Sequence, residues 1–463
     1  MSMNRRAFLE TAAGVVAYAS TDSAGHGSIN VRGAAPRKGR PAPSRAQLDW
    51  QRDALAMFVH FGVNTFTDRE WGDGRESPAL FSPAHLDARQ WARSAKAAGF
   101  RAMILTAKHH DGFCLWPTDT TQHSVAASPW RSGGGDLVRE FVDACRAEGL
   151  RPGLYLSPWD RHEPSYGESA RYNDLYAAQL TELLTRYGSI HEVWFDGANG
   201  EGPNGKRQVY DWPRVWALVR RLQPNAVMFS DAGPDVRWIG NEHGVAGDTN
   251  WSTVDPGVVP YPGAEGEAVT RMLREGDPNG AAWRPGETDV SIRPGWFSHP
   301  AEHGKVKTAE QLVDLYFTSV GRNSKLLLNV PPTVDGLLHE TDVAHLLQMR
   351  EQLGVLFRTD LAAGRRVTWR VTGPRALTAE MDLGRTVSLA ITDLGEDITR
   401  GQRVSRYAID AGNAAGWHEI ARGTTVGFRK LDRVPAVVTR RVRVRVEDAV
   451  DTPLPLRVSL YGG

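Results

Sequence analysis

The feature that most constrains the fold is a regular alternation of short apolar runs with helical patterns from about residue 46 to residue 335. Eight runs have the length and composition of buried strands: 56–63, 102–108, 153–157, 192–196, 226–230, 236–240, 289–292 and 325–330. Helical periodicity lies between several of them, at 86–98, 136–148, 170–187, 212–222 and 308–320. Repeated strand–helix units predict an α/β fold, a (β/α)8-like TIM-type barrel over 46–354. The Gly-rich segment 241–288 shows no clear period and is predicted to be a long loop region over one face of the barrel.

The sequence pattern changes after residue 354. Short segments rich in β-branched residues, separated by turn residues, occur at 366–372, 386–392, 405–410, 439–447 and 454–461. This pattern predicts a C-terminal antiparallel β-sandwich over 355–463.

The N-terminal region has the features of a targeting segment. Arg5 and Arg6 precede a short, weakly apolar stretch, and residues 21–45 are rich in Ser, Gly, Pro, Ala and Arg. We interpret 1–25 as a twin-arginine-type export signal and 26–45 as a linker. The expected location is therefore outside the cytoplasm, periplasmic or extracellular.

Charge and cysteine content exclude several classes of protein. The chain has 463 residues with 55 basic and 54 acidic side chains, a net charge of +1. Neither nucleic acid nor a membrane surface is an expected partner, because both select a basic excess. No apolar run is long enough to span a membrane. The two cysteines, Cys114 and Cys145, are too few for a disulfide framework or a thiolate zinc site. The sequence does not indicate an oligomeric state.

Polar and aromatic residues follow seven of the eight predicted strands. They occur at position 60 and at 108–113, 157–160, 196–197, 237–242, 293–297 and 329–330. In α/β barrels the carboxyl ends of the strands form one face, where binding and catalytic groups gather. The sequence therefore predicts a pocket lined by His, Trp, Asp, Glu and Arg.

Two carboxylates are candidates for chemistry. Asp196 ends an apolar strand, and Glu242 lies in the loop after the sixth strand. Glycoside hydrolysis needs two carboxyl groups across the scissile bond, one protonated and one ionised. From spacing alone the second carboxylate could instead be Glu287, Asp248 or Glu70.

Histidines and tryptophans of the strand ends favour a sugar over a metal. Neighbouring residues of an extended chain point to opposite faces, so His109 and His110 are a poor pair for one ion. At a strand end, where the chain turns, both can bind hydroxyl groups of one sugar together with His60. Trp71, Trp194 and Trp296 could supply an aromatic wall for an apolar sugar face.

Several motifs together resemble the α-L-fucosidases of glycoside hydrolase family 29. They are Phe-Val-His-Phe-Gly (58–62), Glu-Trp-Gly (70–72), Thr-Ala-Lys-His-His-Asp-Gly-Phe-Cys-Leu-Trp (106–116), Gly-Leu-Tyr-Leu-Ser (153–157) and Val-Trp-Phe-Asp-Gly (193–197). The resemblance is collinear from about residue 50 to 335. It implies a retaining exo-glycosidase that acts on fucosylated oligosaccharides and uses no metal or other cofactor.

The resemblance also implies residue roles. Asp196 matches the nucleophile, and Gly-Asn-Glu (240–242) resembles the subgroup that cleaves α-1,3/1,4 linkages, in which Glu242 is the acid/base. The implied substrate-binding residues are His60, Glu70, Trp71, His109, His110, Tyr155, Trp194, Arg237 and Trp296. Alternatives are a broad-specificity α-L-fucosidase, a related exo-glycosidase acting on α-L-galactosides, and a sugar-binding protein without catalysis.

Overall fold

The computed structural model describes residues 39–462. Within that range, the first part of the chain contributes ten strands: β1 (Leu55–Val59), β2 (Ala102–Lys108), β3 (Arg151–Leu156), β4 (Glu192–Trp194), β5 (Val227–Ser230), β6 (Val236–Trp238), β7 (Thr253–Val254), β8 (Ala282–Trp283), β9 (Gly286–Ser291) and β10 (Ser324–Asn329). Eight of them close into a parallel barrel in the order β1-β10-β9-β6-β5-β4-β3-β2, and β7 pairs with β8 separately. The predicted barrel is confirmed.

Most helices lie between strands, and several begin at a side chain that caps the first turn. They are α1 (Arg45–Asp53), α2 (Val63–Thr67), α3 (Ala88–Ala97), α4 (Leu137–Ala147), α5 (Ser169–Arg186), α6 (Trp212–Leu222), α7 (Glu267–Glu275), α8 (Ala309–Thr318) and α9 (Glu340–Leu356). In α4, the Asp136 side chain accepts from the Arg139 amide, and the buried stripe includes Phe141 and Val142. The segment 241–288 is more ordered than predicted, because it contains α7 and the β7–β8 pair.

Charged residues occupy the interior of the barrel as well as apolar ones. The Lys325 ammonium lies 2.9 Å from Glu192 Oε2 and 3.7 Å from Glu287 Oε2, and all three side chains are fully buried. Trp50 Nε1 donates to Glu192, and Trp194 Nε1 donates to Glu287 at 3.0 Å. These buried ionic groups therefore pair with one another and lie directly beneath the end of β4.

The C-terminal domain is antiparallel, as predicted. Its strands are β11 (Thr368–Gly373), β12 (Ala376–Gly395), β13 (Val404–Asn413), β14 (Gly416–Gly423), β15 (Lys430–Ala449) and β16 (Arg457–Tyr461). The hydrogen bonding runs through all six, with β12 and β15 pairing across register shifts and β16 joining the far end of β12. Side chains from both ends of the long strands, such as Leu377 and Leu394, share one apolar core.

Buried amides join this domain to loops of the barrel. The Asn250 amide donates to Thr425 Oγ1 at 2.8 Å, and the Ser252 amide donates to Gln402 Oε1 at 2.7 Å. Both contacts hold the segment that follows β6. The C-terminal domain therefore supports the loop region that the sequence left without regular structure.

The predicted export signal, 1–25, lies outside the described residues, as does the linker up to residue 38. At the linker's other end, α1 already begins at Arg45. Among residues 39–462, no helix combines the length and the apolar character needed to cross a bilayer.

Candidate active site

The predicted site residues meet at the carboxyl ends of the barrel strands. His60 follows β1, the pair His109 and His110 follows β2, and Asp196 lies two residues beyond β4. Tyr155 lies on β3 itself. Because all eight barrel strands are parallel, these strand ends open on one face.

Asp196 is the carboxylate of this group, and hydrogen bonds hold both of its oxygens. Its Oδ2 accepts from the Tyr155 hydroxyl at 3.2 Å, and its Oδ1 accepts from the Ala198 amide at 2.8 Å. His110 Nε2 lies 4.0 Å from Oδ2, and the other ring nitrogen of His110 is hydrogen-bonded to Ser157 Oγ at 2.7 Å. Only 5% of Asp196 is exposed, so its carboxylate is largely shielded from solvent.

The tautomer of His60 follows from its partner. Asn329 Nδ2 donates to the Trp296 carbonyl at 2.8 Å, so Asn329 Oδ1 is the atom that faces His60. His60 Nδ1 lies 2.8 Å from that oxygen and must carry a hydrogen, because the oxygen can only accept. In neutral His60 the other ring nitrogen, Nε2, is then a hydrogen-bond acceptor, suited to a hydroxyl group.

The three predicted histidines are brought together. The His109 ring centroid lies 4.1 Å from that of His110 and 5.5 Å from that of His60. The turn after β2 therefore places neighbouring histidines side by side, as the hydroxyl-binding interpretation requires. Among residues 39–462, no group of three or more His, Cys, Asp or Glu side chains is arranged to hold a metal ion.

Glu70 holds the loop that carries Trp296. Its carboxylate accepts hydrogen bonds from the backbone amides of Trp296 and Phe297, and it lies 2.9 Å from His299 Nε2. Hydrogen bonds to Glu70 and, more weakly, to Asp68 raise the pKa of His299 to about 9, although partial burial opposes the shift. A positively charged His299 therefore ties Glu70 to the loop after β9, and the Trp296 ring lies 5.1 Å from His60.

The three predicted tryptophans lie in two kinds of position: Trp71 and Trp296 are half-buried beside the histidines, and Trp194 is buried in the barrel interior. Trp71 lies 6.2 Å from the His110 ring. Trp194 is 1% exposed and stacks on Phe229 with ring centroids 4.2 Å apart. Trp194 is thus part of the packed barrel interior directly below the site.

The structure engages Arg237 in contacts within the protein, and substrate binding by Arg237 stays a prediction. Its guanidinium donates to the Leu273 carbonyl at 3.0 Å, to the Arg284 carbonyl and to Asn250 Oδ1 at 2.7 Å. Adjacent residues of a strand face opposite sides, and Trp238 takes the inner side, where its Nε1 donates to Asp289. Burial, with Arg284 nearby, lowers the pKa of Arg237 to about 9. Arg237 therefore braces the loop 241–288 from outside the barrel.

The structure also separates the candidate second carboxylates. Glu242 is half-buried in the loop that begins at Gly240. That loop is anchored to α8, because the Ala246 amide donates to the Thr318 carbonyl at 2.9 Å. Glu287 is fully buried below the site, and Asp248 is exposed and paired with Arg322 at 2.9 Å. Of these three, Glu242 is the half-buried one, and it lies four residues beyond the end of β6.

Comparison with known proteins identifies the family. The family model described as "Alpha-L-fucosidase" matches residues 75–355. A putative α-L-fucosidase 1 from Oryza sativa subsp. japonica is 45% identical, with 91% of this chain and 84% of the relative covered. The α-L-fucosidase 1 of Arabidopsis thaliana is 43% identical, with 91% and 87% covered. The chain belongs to the α-L-fucosidase family.

Solved structures of this family share its fold. A glycoside hydrolase 29 family member from an unknown rumen bacterium is 41% identical with a TM-score of 0.84, covering 91% of this chain and 77% of that one. A Ruminococcus gnavus fucosidase of glycoside hydrolase family 29, solved with fucose, is 31% identical with a TM-score of 0.83, and 94% of this chain and 98% of that chain are covered. The protein is therefore an α-L-fucosidase glycoside hydrolase whose substrate class is fucosylated glycans.

Sequence reasoning gave no individual role to several residues that shape this fucosidase site. Trp159 lies 4.9 Å from the His110 ring, and Asn329 orients His60. Asp231, at the end of β5, lies against Gly197, the residue that follows Asp196, because a Cβ at Gly197 would collide with its Oδ2. Each of them follows or ends a barrel strand, which is the signal that could have found them.

A buried ion pair supports the turn that carries the paired histidines. Lys108, at the end of β2, donates to Asp160 Oδ2 and to Gln179 Oε1, both at 2.9 Å. Burial alone would raise the pKa of Asp160, but Lys108 holds it below the usual range. Lys108 is thus engaged in structure rather than positioned as a base.

Proposed function

We propose that this fucosidase is a retaining exo-enzyme for α-1,3/1,4-linked L-fucose, with Asp196 as nucleophile and Glu242 as acid/base. The observation that carries the proposal is the setting of Asp196. Two donors, Tyr155 and the Ala198 amide, hold its carboxylate at the bottom of a pocket lined by histidines. Donors of this kind orient the carboxylate for attack on the anomeric carbon.

In the first step, Asp196 Oδ attacks the anomeric carbon while Glu242 donates its proton to the leaving oxygen. The glycosidic C–O bond breaks, and a fucosyl ester of inverted configuration forms. In the second step, the Glu242 carboxylate takes a proton from water. The water oxygen attacks the same carbon, Asp196 leaves as a carboxylate, and α-L-fucose is released.

Strand spacing supports this pairing of carboxylates. In the barrel, β5 alone separates β4 from β6. Two inter-strand spacings amount to about 10 Å. Side chains directed inward from the loops after both strands would narrow that gap toward the roughly 5–5.5 Å that a retaining mechanism requires. The sequence Gly-Asn-Glu supports the linkage preference by its resemblance to the α-1,3/1,4 subgroup.

Linkage preference is tested with two substrates, a branched Lewis-type trisaccharide and an aryl α-L-fucoside. We expect fucose release from the trisaccharide and little from the aryl substrate. Ready cleavage of the aryl substrate would favour a broad-specificity enzyme. Faster cleavage of an α-L-galactoside would contradict the assignment of fucose as the preferred sugar.

Azide rescue tests the two roles separately. Asp196→Ala with azide and α-L-fucosyl fluoride should yield β-L-fucosyl azide, because the small anion attacks directly in place of the missing carboxylate. Glu242→Ala should yield the α-azide, because azide then attacks the covalent ester. NMR of the products distinguishes the anomers. An α-azide from Asp196→Ala would contradict its assignment as nucleophile.

We also propose that the protein is exported, on the basis of Arg5-Arg6 and the weakly apolar stretch that follows. Cell fractionation of the wild type and of an Arg5→Lys/Arg6→Lys variant tests this. Equal cytoplasmic retention of both would contradict export.

A further inference from the structure

A loop after β7, residues 255–264, rests on the rim of the active site; we call it the rim loop. The Gly263 amide donates to Asp231 Oδ2 at 3.1 Å. A Cβ added at Gly263 would collide with the Gly197 carbonyl, and one added at Gly197 would lie 2.9 Å from the Gly263 nitrogen. Because Gly197 directly follows Asp196, the rim loop touches the chain one residue from the proposed nucleophile.

A tight turn and a buried side chain hold the backbone of the rim loop. The Ala264 amide donates to the Tyr261 carbonyl at 3.2 Å, and Gly263 has a φ of +81°. Proline at the second position and a left-handed glycine at the third are typical of a type II turn. Val259 is buried in the same apolar cluster as Phe229 and Trp238. The turn therefore fixes the backbone of its first residue, Tyr261.

Tyr261 is the most exposed of the tyrosine, tryptophan and phenylalanine side chains of residues 39–462, with 56% of its surface accessible. The remaining exposed large apolar side chains are aliphatic, for example Val371 and Val438 on the C-terminal sheet. Tyrosine offers a broad apolar face with a polar edge and few rotatable bonds, so it binds a flat partner at a small cost in conformational entropy.

We propose that Tyr261 forms the leaving-group subsite, where its ring stacks on the apolar face of the pyranose from which fucose is removed. The inference rests on the proposed exo-cleavage at Asp196, which places fucose inside the pocket and the remaining sugars at its rim. The pocket itself binds fucose through His60, His109 and His110, and Tyr261 adds recognition of the glycan that carries it. Tyr261 is thus a specificity-determining residue.

The test compares a substrate that has a leaving-group sugar with one that has none. The kcat/KM values for a Lewis-type trisaccharide and for α-L-fucosyl fluoride are measured for wild type, Tyr261→Ala and Tyr261→Phe. An aryl fucoside is unsuitable, since its aromatic leaving group could itself stack on Tyr261. Val371→Ala, a change at an exposed side chain of the C-terminal sheet, is the matched control.

We expect Tyr261→Ala to lower the ratio of trisaccharide to fluoride kcat/KM by about 3- to 10-fold, the range of one aromatic stacking contact. Tyr261→Phe should keep the ratio within about twofold, because the ring face remains, and Val371→Ala should leave both values unchanged. A wild-type ratio in Tyr261→Ala would overturn the inference alone, whereas a wild type that cleaves the fluoride but not the trisaccharide would overturn both the inference and the proposed α-1,3/1,4 preference. A wild type that cleaves neither substrate would overturn the proposed function as well.

Discussion

Replacing Glu287 by glutamine tests whether this carboxyl group is structural or takes part in the reaction. Glu287 is fully buried under the site, and its Oε1 accepts from Trp194 Nε1. Within residues 39–462, Glu192 Oε1 and Glu287 Oε2 are buried without a hydrogen-bond partner. One proton held between them would satisfy both oxygens. Burial and the neighbouring Glu192 raise the pKa of Glu287 well above its usual range, so the protonated form is favoured.

Glutamine resembles a protonated glutamic acid in shape and in its hydrogen-bonding groups. Its oxygen can still accept from Trp194, and its amide can still donate to Glu192. We therefore expect Glu287→Gln to change the free energy of unfolding by less than about 1 kcal/mol below about pH 4.5, where Glu287 is protonated in the folded and in the unfolded chain. The Tm should then move by about 1 °C, since a chain of this length unfolds with an entropy near 1 kcal/mol/K, at ~2.1 cal/mol/K per residue.

Activity should also survive, with kcat/KM for fucose release within about threefold of wild type. Glu242→Gln, in contrast, should lower kcat by about 10²–10⁴, the range for loss of a general acid–base group. The assays are thermal unfolding followed by circular dichroism and fucose release from the trisaccharide. A hundredfold loss of activity in Glu287→Gln with an unchanged Tm would refute the reasoning and make Glu287 a reacting group.

The same variant should alter the pH dependence of stability. A carboxyl group whose pKa is raised in the folded state stabilises the fold below its unfolded value, about 4.5, and this contribution is lost as the pH rises through the folded value. The glutamine side chain does not titrate. As the pH is raised, the Tm of the wild type should therefore fall relative to that of Glu287→Gln. A constant difference in Tm between pH 4 and pH 9 would contradict the raised pKa.

Three further predictions test the surroundings of the site. Tyr155→Phe removes a hydrogen-bond donor to Asp196. It should lower kcat/KM by about tenfold at unchanged Tm, because a hydrogen bond to a charged group contributes ~1.5 kcal/mol or more. Wild-type kinetics in this variant would contradict the role of Tyr155. His299→Gln should lower the Tm most below pH 6.5, because Glu70 stabilises protonated His299. The decrease in Tm should become smaller as the pH rises through about 9. Melting curves measured across this pH range test the prediction, and a decrease independent of pH would contradict it. Arg237→Met should lower the Tm by about 2–4 °C, because it leaves buried hydrogen-bond acceptors unpaired. The KM should change little. A large rise in KM would support Arg237 as a substrate ligand.

The barrel was predictable because its signals are local. Each strand is a short apolar run followed by polar residues, and parallel strands necessarily open their carboxyl ends on one face. His60, His109, His110 and Asp196 could therefore be assigned to one pocket from the sequence. The order within 241–288 was missed because α7 and the β7–β8 pair are short and are stabilised by contacts with the barrel and the C-terminal domain.

What the sequence determined by itself is thus the strand order, the face that carries the site and the residues that end each strand. Only the tertiary structure decided which neighbour of a pair points inward, and it placed Trp238 inside the barrel and Arg237 outside. It also decided that Glu70 holds the loop of Trp296 and that Glu287 lies in the floor. The reason is physical, because side-chain direction on a strand depends on register and barrel closure, and burial depends on contacts between residues far apart in the chain.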